Sequence, residues 1–244
     1  MKLYAMLAAA TCLLTTGLLA SCGDSAPPAA PPSQAAADAP PDIPVMGQER
    51  RILALGDSLF AGYGLKSGES YPAKLEAALR ARGINARVAN AGVSGNTTAD
   101  GLARLKFTLD SQERAPDLAI VGLGGNDMLR ALPPEQARAN LDAILAEFGR
   151  REIPVVLMGM LAPPNLGSEY RQAFDTIYPA LVKKHDAVLV PFFLQAVIDR
   201  PDLVQPDHLH PTAVGIERIV AATVDTVAGA LPPPSRAGAP PPPR

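Results

Sequence analysis

The sequence predicts an α/β domain, with one parallel sheet covered by helices on both faces. Three observations carry this. Between about residues 50 and 230, apolar strand-like runs alternate with amphipathic helical ones. The strand runs are continuous Val, Ile and Leu stretches, as expected when both faces of a sheet are covered. The densest proline stretches lie outside that region, at the two ends of the chain. What remains, about 180 residues, is ample for a single core.

Taken in order, residues 51–55 read as the first strand, ending on Gly56-Asp57-Ser58. Residues 71–82 place Leu75, Ala78 and Leu79 at helical spacing and stop at Gly83. A short second strand follows at 86–90. A helix at 97–109 carries Leu102, Leu105 and Leu109 on one face. Residues 118–122 form a buried strand run. Residues 134–148 form a helix that opens on Pro134 and is followed by Gly149. Further strands are expected at 154–159 and 187–190, a mostly helical stretch at 168–184, and a final helix at 211–231.

The ends read differently. Lys2 gives a small positive start, an apolar stretch runs through Leu19, and Leu19-Ala20-Ser21-Cys22 resembles a bacterial lipobox. The expected organisation is a lipoprotein signal peptide at 1–21, lipidated Cys22 with an Ala/Pro-rich linker at 22–47, a folded domain at 48–231 and a Pro-rich tail at 232–244. Cys12 and Cys22 are the only cysteines, so the folded region holds no thiol. These features predict a cell-envelope protein tethered to a membrane by its N-terminal lipid. Residue 23 is Gly rather than Asp, which favours the periplasmic side of the outer membrane. An ordinary secretory signal or an uncleaved anchor helix is the alternative. The formal net charge of -2 offers no basic excess for nucleic acid.

Chemistry concentrates in four loops. Gly56-Asp57-Ser58 follows the first strand, Asn90 to Asn96 the second, and Gly122-Leu123-Gly124-Gly125-Asn126-Asp127 the third. Asp207-His208-Leu209-His210-Pro211 precedes the last helix. In a doubly wound sheet, ligands bind at the carboxyl ends of the strands. A serine there needs a base to become a nucleophile, and histidine suits neutral pH. Of the three histidines, His185 sits at a helix end and is expected to face solvent. Asp207 lies three residues before His210, a spacing that lets a carboxylate orient the ring toward Ser58. Alternatively, Asp207 caps the last helix. The Asn126 amide, the Gly95 N–H and the Ser58 N–H are candidate oxyanion donors. Asp57 and Asp127 are expected to fix loop geometry.

Together these stretches resemble the SGNH (GDSL) hydrolases. Gly56-Asp57-Ser58-Leu59, Gly92 to Gly95, Gly124-Gly125-Asn126-Asp127 and Asp207-His208-Leu209-His210 look like the four blocks, in order. Gly101-Leu102-Ala103-Arg104-Leu105, Ile177-Tyr178-Pro179 and Pro191-Phe192-Phe193 are similar to the bacterial arylesterase, thioesterase and lysophospholipase branch. The resemblance implies a flavodoxin-like three-layer α/β/α fold with a five-stranded sheet. It implies Ser58, Asp207 and His210 as a catalytic triad, with Ser58, Gly95 and Asn126 forming the oxyanion hole. It implies hydrolysis of a small-molecule ester or thioester without a metal or other cofactor. Leu123, Met128, Leu129, Leu161, Pro163, Pro164 and Phe193 are candidate acyl-pocket residues. Competing readings are a carbohydrate O-deacetylase, a non-catalytic ligand-binding lipoprotein, and a metal-dependent hydrolase using Asp57, Asp127, Asp207, His208 and His210.

Overall fold

A computed structural model describes residues 45–233. The signal segment, Cys22 and all but the inner ends of the linker and tail lie outside the described residues. The chain runs β1 (Arg50–Gly56), α1 (Ser58–Ala61), α2 (Tyr71–Ala81), β2 (Ala86–Gly92), α3 (Thr98–Asp110) and β3 (Leu118–Gly122). It continues through α4 (Gly125–Leu129), α5 (Pro134–Arg150), β4 (Val155–Met158), α6 (Ser168–Asp175), α7 (Ile177–His185), β5 (Val188–Val190) and α8 (Ala213–Ala230). Short 3₁₀ turns occupy Pro164–Leu166 and Pro201–Leu203.

The five strands are all parallel, in the order β2-β1-β3-β4-β5. Ile52, Leu53, Ala54 and Leu55 of β1, and Leu118, Ala119, Ile120 and Val121 of β3, are essentially inaccessible to solvent. That is why these runs are continuously apolar rather than alternating. Helices α2 and α8 pack together on one side of the sheet; α3, α5 and α7 pack in succession on the other. The strand order reverses between β1 and β3, so the carboxyl ends of these two strands flank the crevice where such sheets bind ligands.

Three glycines close that edge. Gly56 pairs in register with Gly92 on one side and with Gly122 on the other. The four-residue α1 lies directly over this row. A Cβ on Gly92 would come within 2.3 Å of the Ala61 nitrogen, and one on Gly122 within 2.6 Å of the Phe60 ring. The absent side chains let the chain turn from strand to helix across the sheet edge, which is how Ser58 comes to stand above it. Phe60 then locks the turn: it is fully buried, stacks on Tyr71 at 5.3 Å and meets Phe193 edge-on at 5.6 Å.

Some boundaries differ from the sequence reading. The 168–184 stretch is two helices, meeting at Thr176. Pro179 has no N–H to bond the Asp175 carbonyl, so the helical ladder is interrupted there. The final helix starts at Ala213, not at Pro211. Thr212 is its N-cap, accepting the Gly215 N–H on its side-chain oxygen at 3.1 Å. Asp207 therefore does not cap this helix. The α3 start holds a reciprocal capping box between Thr97 and Asp100, which accounts for the helix beginning at Thr98.

Candidate active site

Ser58 is the first residue of α1. Asp57 caps that helix by accepting the Leu59 N–H at 3.0 Å, and Gly62 ends it in a left-handed conformation. Asn90 of β2 donates to the Phe60 carbonyl at 2.9 Å and ties the turn down from the side. Ser58 is thus delivered by a short, pinned element rather than by a free loop.

The loop between Val204 and Pro211 approaches from the other side. These two residues form an antiparallel bridge, and the Gln205 N–H donates to the His210 carbonyl at 2.7 Å. Within the loop, Asp207 Oδ1 accepts the N–H groups of Leu209 and His210, both at 3.0 Å. Its other oxygen stands 2.7 Å from His210 Nδ1, and His210 Nε2 stands 2.9 Å from Ser58 Oγ. An ionised carboxylate only accepts hydrogen bonds, so Nδ1 carries the proton. The neutral ring then presents a bare Nε2 to the Ser58 hydroxyl, which donates to it. The His210 N–H, the His210 ring and the Leu209 N–H hold Asp207 down to about 2, so it is ionised at neutral pH. His210 keeps only 12% of its side-chain exposure.

Two residues that the sequence reading missed hold this arrangement. The Tyr63 ring lies 4.5 Å from the His210 ring, tilted by 33°. The Gln205 side-chain amide donates to the carbonyls of Tyr63 and Pro211, at 2.8 and 2.9 Å. It clips the turn after α1 to the histidine loop. Neither carries chemistry of its own; the one available signal was the pair of glycines flanking Tyr63.

The other predicted donors gather at the same edge. Gly95 has φ of +81°, and neither its N–H nor that of Ser58 has a hydrogen-bond partner among the described residues. Asn126, in the first turn of α4, points its amide nitrogen at the Asn96 carbonyl at 3.1 Å and at Asp57 Oδ2 at 3.3 Å. Asp127 faces away, accepting the N–H and the hydroxyl of Thr98 at 2.8 and 2.6 Å. It therefore joins α4 to α3. Among the described residues, no three His, Cys, Asp or Glu side chains, these five included, are placed to hold one metal ion together. The expectation for His185 is corrected: its Nε2 lies 2.6 Å from Asp142 Oδ1 and its side chain is only 17% exposed, because α7 packs on α5.

Beside Ser58 opens a cavity of about 220 Å³. Its apolar lining comes from Met128, Leu129, Met160, Leu161 and Pro163 together with Phe192, Leu194 and Ile198. Leu129, Leu161, Ile198 and Leu209 stand partly exposed around its mouth. Leu123 and Phe193 are instead core residues around a small void behind it, and Pro164 belongs to a 3₁₀ turn that does not line it. Periodicity does not distinguish an apolar side chain that packs inward from one that lines a cleft.

Asp57 is almost fully buried, and burial pushes its carboxyl up to about 6 against the opposing pull of the Leu59 N–H. The folded state therefore favours the protonated form. Asp57 contributes stability that is fully present below about pH 4 and is lost as pH rises through about 6, on the order of 3 kcal/mol. The ¹³Cγ resonance of Asp57 should titrate near pH 6. A midpoint near 4 would mean that the site is far more hydrated than its packing shows.

Comparison with known proteins fits this geometry. The sequence profile described as "GDSL-like Lipase/Acylhydrolase family" matches residues 54–218. The chain belongs to this family. An arylesterase from Vibrio mimicus is 41% identical over 161 residues, covering 66% of this chain and 80% of that one. The Escherichia coli protein named thioesterase 1/protease 1/lysophospholipase L1 is 39% identical over 160 residues, covering 66% of this chain and 74% of that one. Among solved structures, the SGNH-hydrolase family esterase AlinE4 is 67% identical, with a TM-score of 0.66 over 77% of this chain and 99% of its own. The protein is therefore an ester-hydrolysing enzyme with the three-layer α/β/α fold of this family.

Proposed function

We propose that the protein is a serine esterase that cleaves acyl esters and thioesters through Ser58, His210 and Asp207. The observation that carries this reading is the continuous contact from Asp207 through His210 to Ser58 at the mouth of an apolar cavity. As Ser58 Oγ bonds to the carbonyl carbon, its proton passes to His210 Nε2 and the carbonyl π electrons move onto oxygen. The Ser58 and Gly95 N–H groups stabilise that oxyanion together with the Asn126 amide, which gives up its long 3.3 Å contact to Asp57 to reach it while keeping the Asn96 carbonyl. When the intermediate collapses, the bond to the leaving group breaks and His210 returns its proton to it. A water molecule, deprotonated by His210, then releases the acid and restores Ser58. Asp207 stabilises the ring while it is charged.

The apolar walls suit an acyl chain rather than a sugar. A panel of nitrophenyl esters and acyl thioesters of graded chain length, set against an acetylated oligosaccharide, tests this. Turnover should favour acyl chains longer than acetate. Preference for the acetylated sugar would turn the reading to O-deacetylation.

The lipobox-like Leu19-Ala20-Ser21-Cys22 supports a further part of the proposal: a lipid anchor on Cys22 that holds the enzyme at the outer membrane, on its periplasmic side. In a bacterial host, the full chain should partition into the detergent phase and the Cys22→Ser variant should not. Equal partitioning of the two would remove the anchor.

A further inference from the structure

Arg104 has no task in the mechanism above, yet its guanidinium reaches the end of the strand that delivers Ser58. It stands in α3 with its guanidinium about half withdrawn from water, and no carboxylate is bonded to it among the described residues. Its acceptors are neutral oxygens: Nε donates to Asn96 Oδ1 at 2.7 Å, and Nη2 to the Gly56 carbonyl at 2.9 Å. Asp100, one turn earlier on α3, attracts Arg104 through space but makes no hydrogen bond to it, and taking a guanidinium out of water with so little compensation is costly. Surface stability gives no reason to place one here.

The two acceptors are informative. Gly56 is the last residue of β1, two before Ser58, and its carbonyl also receives the Val93 N–H at 3.0 Å. Asn96 follows Gly95, and its main-chain carbonyl accepts the Asn126 amide. Asn126 reaches on to Asp57, which is covalently joined to Gly56. Gly56, Arg104, Asn96, Asn126 and Asp57 thus form a closed circuit around the ends of β1, β2 and β3. All three candidate oxyanion donors, Ser58, Gly95 and Asn126, lie on it or next to it in the chain. We propose that Arg104 is a positioning residue that holds the Asn126 oxyanion donor in register by bracing Asn96 against the end of β1. Two acceptors in different directions suit the planar fork of arginine; a lysine ammonium reaching one would forfeit the other. Donors fixed before the reaction stabilise developing charge without reorganisation, so such bracing acts on the transition state more than on the bound ester.

This inference rests on the esterase reading, and a double-mutant cycle on a short soluble nitrophenyl ester separates the two. The enzymes compared are the wild type, Arg104→Met, Asn126→Ala and the double variant. Arg104→Met should lower kcat by about 10²-fold while KM changes less than about threefold, and Asn126→Ala should lower kcat by about 10²–10³-fold. The double variant should be no more than about threefold slower than Asn126→Ala, because Arg104 works through Asn126. Losses that multiply to about 10⁴-fold or more would show Arg104 acting independently and overturn the inference. So would an unchanged kcat, or a loss confined to KM. Should Arg104→Met fail to fold, Asn96→Ala removes the Arg104 acceptor while keeping the main-chain carbonyl, and the same cycle applies. An Asn126→Ala enzyme with full kcat would overturn both this inference and the oxyanion role of Asn126. A multiplicative cycle with the Asn126→Ala loss intact overturns only the role of Arg104.

Discussion

Replacing Ser58 by alanine should lower kcat by about 10⁵–10⁶-fold, the scale seen when a triad serine is removed from other hydrolases. The folded protein should survive the change. Ser58 is only partly buried, and α1 is held by the Asp57 cap, the Phe60 cluster and Asn90 rather than by the hydroxyl. His210 keeps its place too, because Asp207, Tyr63 and the Gln205 contacts fix the ring without Ser58. The variant should therefore retain its melting temperature within a few degrees and lose covalent labelling by a serine-directed fluorophosphonate. Turnover within tenfold of the wild type would mean that another group attacks the ester, and the assignment of Ser58 would fall.

The legibility of this site in the sequence follows the range of the forces that build it. Chain-local features were readable. The β1 run ends on Gly-Asp-Ser because a fully buried strand must give way to a turn at the sheet edge, and the glycines that permit the turn are visible as letters. Asp207 and His210 could be paired because both lie in one loop three residues apart. Their alternative, a helix cap at Asp207, was settled only by Thr212 taking that role. Contacts that depend on two distant segments meeting were not readable. Tyr63 against His210 and His185 against Asp142 depend on loop closure and on the packing of α7 on α5. The candidate acyl-pocket residues divide in the same way. Met128, Leu129, Leu161 and Pro163 line it, while Leu123 and Phe193 are buried behind it. Hydrophobicity is alike in the two groups, and only the three-dimensional path of the chain separates them.

Asp207→Asn should lower kcat by about 10³–10⁴-fold, less than the loss of Ser58 but still severe, although the substitution removes no atom of the side-chain framework. The reason lies in the loop. Oδ1 of Asp207 accepts two main-chain N–H groups, those of Leu209 and His210. An asparagine amide must keep its oxygen there, since turning its NH₂ toward two donors would leave all of them unsatisfied. The NH₂ is then forced to face His210 Nδ1. That nitrogen can accept the new donor only by giving up its proton, and the neutral ring carries it on Nε2 instead. Nε2–H now points at Ser58 Oγ and cannot take its proton. The ring stays in place and the base is lost through its tautomer, so kcat should collapse while KM and the folded structure change little. The contrast with Asp207→Ala is diagnostic. Alanine abolishes the loop anchor as well, so it should lower stability and loosen the 204–211 loop, but it does not impose the wrong tautomer. If Asp207→Asn retains more activity than Asp207→Ala, the carboxylate works mainly by holding the loop. If Asp207→Asn is the slower enzyme, or equals Asp207→Ala while remaining fully stable, the carboxylate works through the proton on Nδ1.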